Sequence, residues 1–192
     1  MTAELPTALT VGGRAYAIRT DYRVLLHIFS AFNDPDLNEQ EKCYVCLKCL
    51  YKDFESIPKE HLQEAAEKAY RFAGGGDTPG ADGADNVKLF DWEQDESMIF
   101  PAVNKAAGFE VRSVDYMHWW TFLGLFGVVD EGLLTRVIHI RRKRAKGKKL
   151  DKTEQEFYRE HRQMIDLRAR LTVEQLRQQA EDDAFLKELL GE

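Results

Sequence analysis

With 192 residues, 44% hydrophobic and 11% aromatic, the chain is long enough to bury a substantial core without metals or crosslinks. Its 27 Lys and Arg against 33 Asp and Glu, a net of −6, argue against a nucleic-acid surface as its main business, so any basic site must be local. The three cysteines, Cys43, Cys46 and Cys49, share one short stretch that cannot frame a domain with disulfides. That usage and the lack of a basic-then-apolar leader in "MTAELPTALTVGG" lead to the expectation of a cytoplasmic protein without a signal peptide.

Residues 7 to 19 predict a β-hairpin: "TALTV" and "RAYAIR" flank Gly12-Gly13, a pair that tolerates the positive φ of a two-residue turn. In that register Leu9 faces Tyr16 and Val11 faces Arg14, which sets Leu9, Val11, Tyr16 and Ile18 on one face. Asp21 is placed to cap a helix whose apolar stripe is Val24, Leu25, Ile28, Phe29 and Phe32. A second helix is expected from about Asn38 to Tyr51, with Cys43, Cys46, Leu47 and Leu50 on one side. A third follows Ile57-Pro58 and stops at Gly74-Gly75-Gly76.

"GGGDTPGADGADN" carries no apolar periodicity, so residues 74–86 are expected to be a loop or linker between 1–73 and 87–192. The two parts are expected to pack as one domain. Asp91 and Gln94 stand in capping-box spacing, and Pro101 is expected to kink or restart the helix that follows.

An aromatic helix is predicted from about Ser113 to Phe126, in the stretch "YMHWWTFLGLFG". Extended to Val129 it holds about 14 near-continuous apolar positions where a bilayer needs about 20, so it reads as a buried helix and not a membrane span. His118, within it, is expected to be a hydrogen-bonded core histidine more than a ligand. Leu133, Leu134, Val137 and Ile138 then form a narrow stripe leading into "RRKRAKGKK". Capping boxes at Asp151/Glu154 and Thr172/Gln175 start the last two helices. The whole reads as a mainly α multi-helix bundle around the aromatic helix, with a small N-terminal hairpin.

Motifs of chemistry are scarce. "CYVCLKC" lacks a fourth cysteine, and its thiols drift about 100° per residue around a helix, so buried free cysteines explain it better than a metal or redox centre. "DPDLNEQEKCYV" begins like a calcium loop but has Glu39 where glycine is needed and Val45 where a bidentate glutamate is needed. The five histidines are scattered, and no nucleophile elbow or zinc-protease pair occurs, so no catalytic, cofactor-binding or metal residues are nominated. The basic run Arg136 to Lys149 could bind phosphate, which leaves a DNA-associated regulator as the alternative reading. Without interleaved aromatics it reads better as a solvated helix end.

The stretches "LFDWEQDESMIFPAV", "YMHWWTFLGLFGVV" and "IHIRRK" together are more specific. They resemble the gene-product-fifteen family of long-tailed bacteriophages and their prophages over roughly residues 85 to 167, with looser similarity in 20 to 72. The carrying residues are Phe90, Asp91, Trp92 and Asp95 of one motif, His118, Trp119, Trp120 and Phe122 of a second, and Ile140 with Arg141 of a third. "AAGFEV" and Pro101 depart from the family's pattern.

The resemblance implies a tail assembly chaperone that keeps the tape-measure protein soluble while tail-tube subunits assemble. It brings no catalytic residues or cofactors. Most motif residues are expected in the core; a partner surface is expected at Phe185, Leu186, Leu189 and Leu190 of the last helix, and self-association is left open.

Overall fold

The computed structural model describes residues 4–76 and 87–190, the side chains of 183–190 excepted. Strands β1 (Ala8–Val11) and β2 (Arg14–Ala17) pair antiparallel with Leu9 opposite Tyr16 and Val11 opposite Arg14, the expected register. Gly12 and Gly13 take φ of 54° and 76°, as a tight two-residue turn requires. Val11, Tyr16 and Ile18 are buried.

Asp21 caps α1 (Tyr22–Phe32) by accepting from the Arg23 amide, and Asn38 and Glu41 close a capping box on α2 (Glu39–Leu50). A 3-10 turn at Lys59–His61 leads into α3 (Leu62–Ala73). The hairpin rests on this pair: Ile18 bridges Tyr51, and the Gly12 amide donates to Glu64 of α3.

The second part begins later than the capping-box spacing predicts. Asp91 accepts from the amides of Glu93 and Gln94, but α4 (Glu96–Ala107) starts only after Asp95, and the Gln94 side chain reaches away to the Asp166 carbonyl. Distant backbone took the amide that a local box would have used. The helix also runs through Pro101 without restarting: Pro101 and Ser97, one turn before it, are exposed, so the carbonyl left without an amide faces water.

The aromatic helix α5 (Trp119–Gly127) is shorter than expected. Residues 113–118 form a 3-10 end and an extended approach, because Tyr22 and Trp119 amides bond the Met117 and Thr20 carbonyls across to the start of α1. His118 is therefore the cap of α5 and does not lie within it.

Next, α6 (Leu133–Ala145) buries Leu134, Val137, Ile140 and Arg141, while Leu133, expected in the stripe, is exposed. Asp151 and Glu154 form the predicted capping box of α7 (Lys152–Glu160), and the one-turn α8 (Arg162–Ile165) follows. Thr172 and Gln175 make the last predicted box, at the head of α9 (Val173–Leu190). The protein is mainly α with one small hairpin.

One hydrophobic core draws Leu25, Ile28 and Phe72 from the first part and Ile99, Trp119, Phe122, Val137 and Ile165 from the second. Among the described residues no helix is long and apolar enough to cross a membrane. Residues 77–86, most of the expected linker, lie outside the description, as do the side chains of Phe185, Leu186, Leu189 and Leu190.

Candidate functional site

The three motifs singled out in the sequence meet in space. Asp95 is fully buried, and its carboxylate faces the nearly buried Arg141 of α6, with Nη1 2.5 Å from Oδ2 and Nη2 2.9 Å from Oδ1. This bidentate geometry matches the guanidinium fork to both carboxylate oxygens. The same guanidinium donates to the carbonyls of Leu89, Met164 and Ile165, and the Asp91 amide donates to Asp95 Oδ2. A single arginine thus ties the turn before α4, helix α6 and the end of α8. The buried charges are acceptable because each is paired and hydrogen-bonded.

Asp91 extends the clasp outward. Burial opposes its charge, but the Lys88 ammonium at 2.6 Å and the Gln94 and Glu93 amides outweigh it and hold the carboxyl well below the usual carboxylate range. Arg170 bridges Asp91 and Glu93 at 3.2 and 2.9 Å, pinning the segment after α8 over this turn. The Arg168 amide adds a bond to Gln94.

The aromatic members make the neighbouring wall. Trp92 lies 4.9–6.1 Å from the rings of Phe126, Phe90, Trp119, Phe29 and Phe122, and Tyr22 stacks on Phe122 at 4.5 Å. His118 Nδ1 accepts from the Trp120 amide and Nε2 lies 3.0 Å from the Pro6 carbonyl. Only the neutral tautomer with the proton on Nε2 satisfies both, so His118 is the buried, hydrogen-bonded residue expected. The indoles of Trp119 and Trp120 donate to the Ala73 and Phe72 carbonyls in the last turn of α3, where helix carbonyls outrun intrahelical amides. The motif residues are held in place; they hold the chain together.

Beside this wall an open cleft of about 500 Å³ runs between α1 and the 92–100 segment. Tyr22, Leu26, Ser30 and Asn33 line it from α1 at i, i+4, i+8 and i+11, opposite Trp92 and Phe100. At one end Arg23 lies over the Tyr22 ring at 4.6 Å and Arg112 over Phe100 at 4.8 Å. Burial raises the Tyr22 phenol above its ordinary value. Arg23 is anchored by Asp21 and the Val114 carbonyl, and Arg112 by Glu110, whose carboxyl falls to about 2 through those bonds. The rim arginines are therefore preset around an apolar trough.

This cleft escaped the sequence reading, although Tyr22, Leu26 and Ser30 share a second face of α1 beside its core stripe. Leu26 was the available signal: an apolar residue one position outside the stripe, next to the exposed His27.

The remaining candidates fall elsewhere. Cys46 is buried and its thiol is pushed up to about 12 by burial, then by Cys43 and Cys49, which keeps it protonated. Among the described residues no three His, Cys, Asp or Glu side chains gather to hold a metal ion. In the basic run, Arg141 is consumed by the clasp, Lys143 pairs with Glu154, Arg144 pairs with Asp166, and Arg136 covers the Phe157 ring at 3.7 Å.

The model of the family described as "Bacteriophage Gp15 protein" matches residues 1–167, a span that takes in every clasp and cleft residue except Arg170. No curated protein and no solved structure matches the chain.

Proposed function

The chain belongs to the bacteriophage Gp15 family, and on that premise we propose that it is a tail assembly chaperone that binds the tape-measure protein without chemistry, in the host cytoplasm. The observation that carries this reading is the apolar cleft between α1 and Trp92 and Phe100. A helix laid in a groove is recognised through apolar anchors at i, i+3 or i+4 and i+7. The trough follows α1 from Tyr22 to Asn33, about 17 Å at 1.5 Å per residue, enough for three turns of such a helix. The clasp and the aromatic wall keep its far side rigid, which lowers the ordering cost of binding.

The test is co-expression with tape-measure fragments, followed by affinity purification and gel filtration. We expect a soluble complex, and we expect Leu26→Glu, at a half-buried cleft position, to abolish it while leaving the fold intact. Tape-measure fragments that stay insoluble whether or not the protein is present would overturn the reading. The DNA-regulator alternative draws less support than the cluster's charge suggests, since Arg136, Arg141, Lys143 and Arg144 already have partners within the chain and only part of the run is left to meet phosphate.

A further inference from the structure

Charge is distributed unevenly along this acidic chain. Between residues 136 and 170 there are 13 Lys and Arg against 5 Asp and Glu, a local net of +8, which leaves −14 for the rest of a chain whose total is −6. Within that lobe Arg141, Lys143 and Arg144 already pair with Asp95, Glu154 and Asp166. Arg142, Lys148, Lys149 and Lys152 are exposed at the corner where α6 ends, Gly147 turns with φ 63° and α7 begins.

The opposite character gathers on α9. Every residue from Val173 to Asp182 is exposed. The helix is held at its head, where the Val173 amide bonds Asp36 and Thr172 caps with Gln175. Over Val173–Leu190 the sequence carries five Asp and Glu against two Lys and Arg, and Glu174, Glu181 and Asp182 stand among the exposed positions together with Val173 and Leu176, 68% and 53% exposed. An 18-residue helix about 27 Å long, exposed along its described length, has a face to cover.

We infer that α9 of one copy docks on the basic α6–α7 corner of a second copy of this chain. The complementarity is one of net charge: four exposed cations in 11 residues meet a helix face with Glu174, Glu181 and Asp182, of which Glu181 also pairs with Arg177 and Asp182 accepts from Gln178, with Val173 and Leu176 beside them. Because donor and acceptor surfaces differ, the contact is head-to-tail and repeats from copy to copy. A DNA duplex is the poorer occupant of the corner, since the −14 on the remainder of the chain repels it. This inference is independent of the tape-measure reading, as neither surface lines the cleft between α1 and Trp92 and Phe100.

Sedimentation velocity of the full chain tests it. The protein should self-associate with concentration at about 0.01 M salt, where charges reach about 30 Å, and lose this association roughly tenfold or more at about 1 M salt, where they reach about 3 Å. The triple variants R142E/K148E/K149E and E174K/E181K/D182K should each be monomeric at low salt. Mixed in equal amounts they should associate again, because each supplies the charge the other lacks. A wild-type monomer at every concentration in low salt, association indifferent to salt, or a mixture that stays monomeric would each overturn the inference.

Discussion

Replacing Arg141 by methionine removes the guanidinium but keeps most of the side-chain length. Asp95 is then a fully buried carboxylate with the Asp91 amide as its remaining donor, and the Leu89, Met164 and Ile165 carbonyls each lose a bond. Breaking a buried pair by removing one partner costs about 3–5 kcal/mol. Against a domain stability of about 5–15 kcal/mol this is a large share, and for a chain of this size it corresponds to a fall in Tm of about 6–20 °C.

Urea unfolding followed by tryptophan fluorescence and far-ultraviolet circular dichroism measures it, with stability read from the midpoint at unchanged slope. Asp95→Leu in the same background should recover part of the loss by removing the stranded charge, but not all of it, because the three carbonyls and the Asp91 amide stay unsatisfied. Arg144→Met is the control: its pair with Asp166 is substantially exposed, and the loss should be about 1 kcal/mol or less. A loss below about 1 kcal/mol for Arg141→Met, or a double variant no more stable than the sum of the single losses, would refute the clasp as a stabilising unit.

Trp119→Ala should cost about 3–5 kcal/mol by calorimetry, since the indole is fully buried and bonded to Ala73. Trp120→Ala, from a half-buried position stacked on Phe72, should cost less than Trp119→Ala, with the difference in midpoint between the two variants as the check. The Asp91 carboxyl is depressed in the folded state, so its contribution is complete above the ordinary carboxylate value near about 4 and is lost as pH falls below it. Asp91→Asn should therefore be less stable than the parent at neutral pH and lose less on acidification, as shown by urea midpoints at the two pH values. Gly12→Ala should destabilise more than Gly13→Ala: both sit at positive φ, but a methyl at Gly12 would come within 2.6 Å of the His61 ring while the space at Gly13 is open. Thermal midpoints of the two variants in the same buffer decide this.

Local rules sufficed wherever the cause was local. The hairpin register follows from two glycines and a period of two, and the caps at Asp21, Asp151 and Thr172 follow from side chains bonding amides two or three positions away. Expectation failed where a remote group competed for the same atoms. Gln94 left its local box for the backbone of residues 166 and 168, and residues 113–118 gave up helix to pair with the start of α1. The sequence by itself determined the helical class, the positions of several caps and the motif residues that carry the family. Only the tertiary structure decided that Asp95 and Arg141, 46 positions apart, close on each other, and that Leu26 faces Trp92 and Phe100 across an open cleft. Periodicity fixes which face of a helix is apolar, but which surfaces then meet depends on packing between segments far apart in the chain, and that carries no short-range signal.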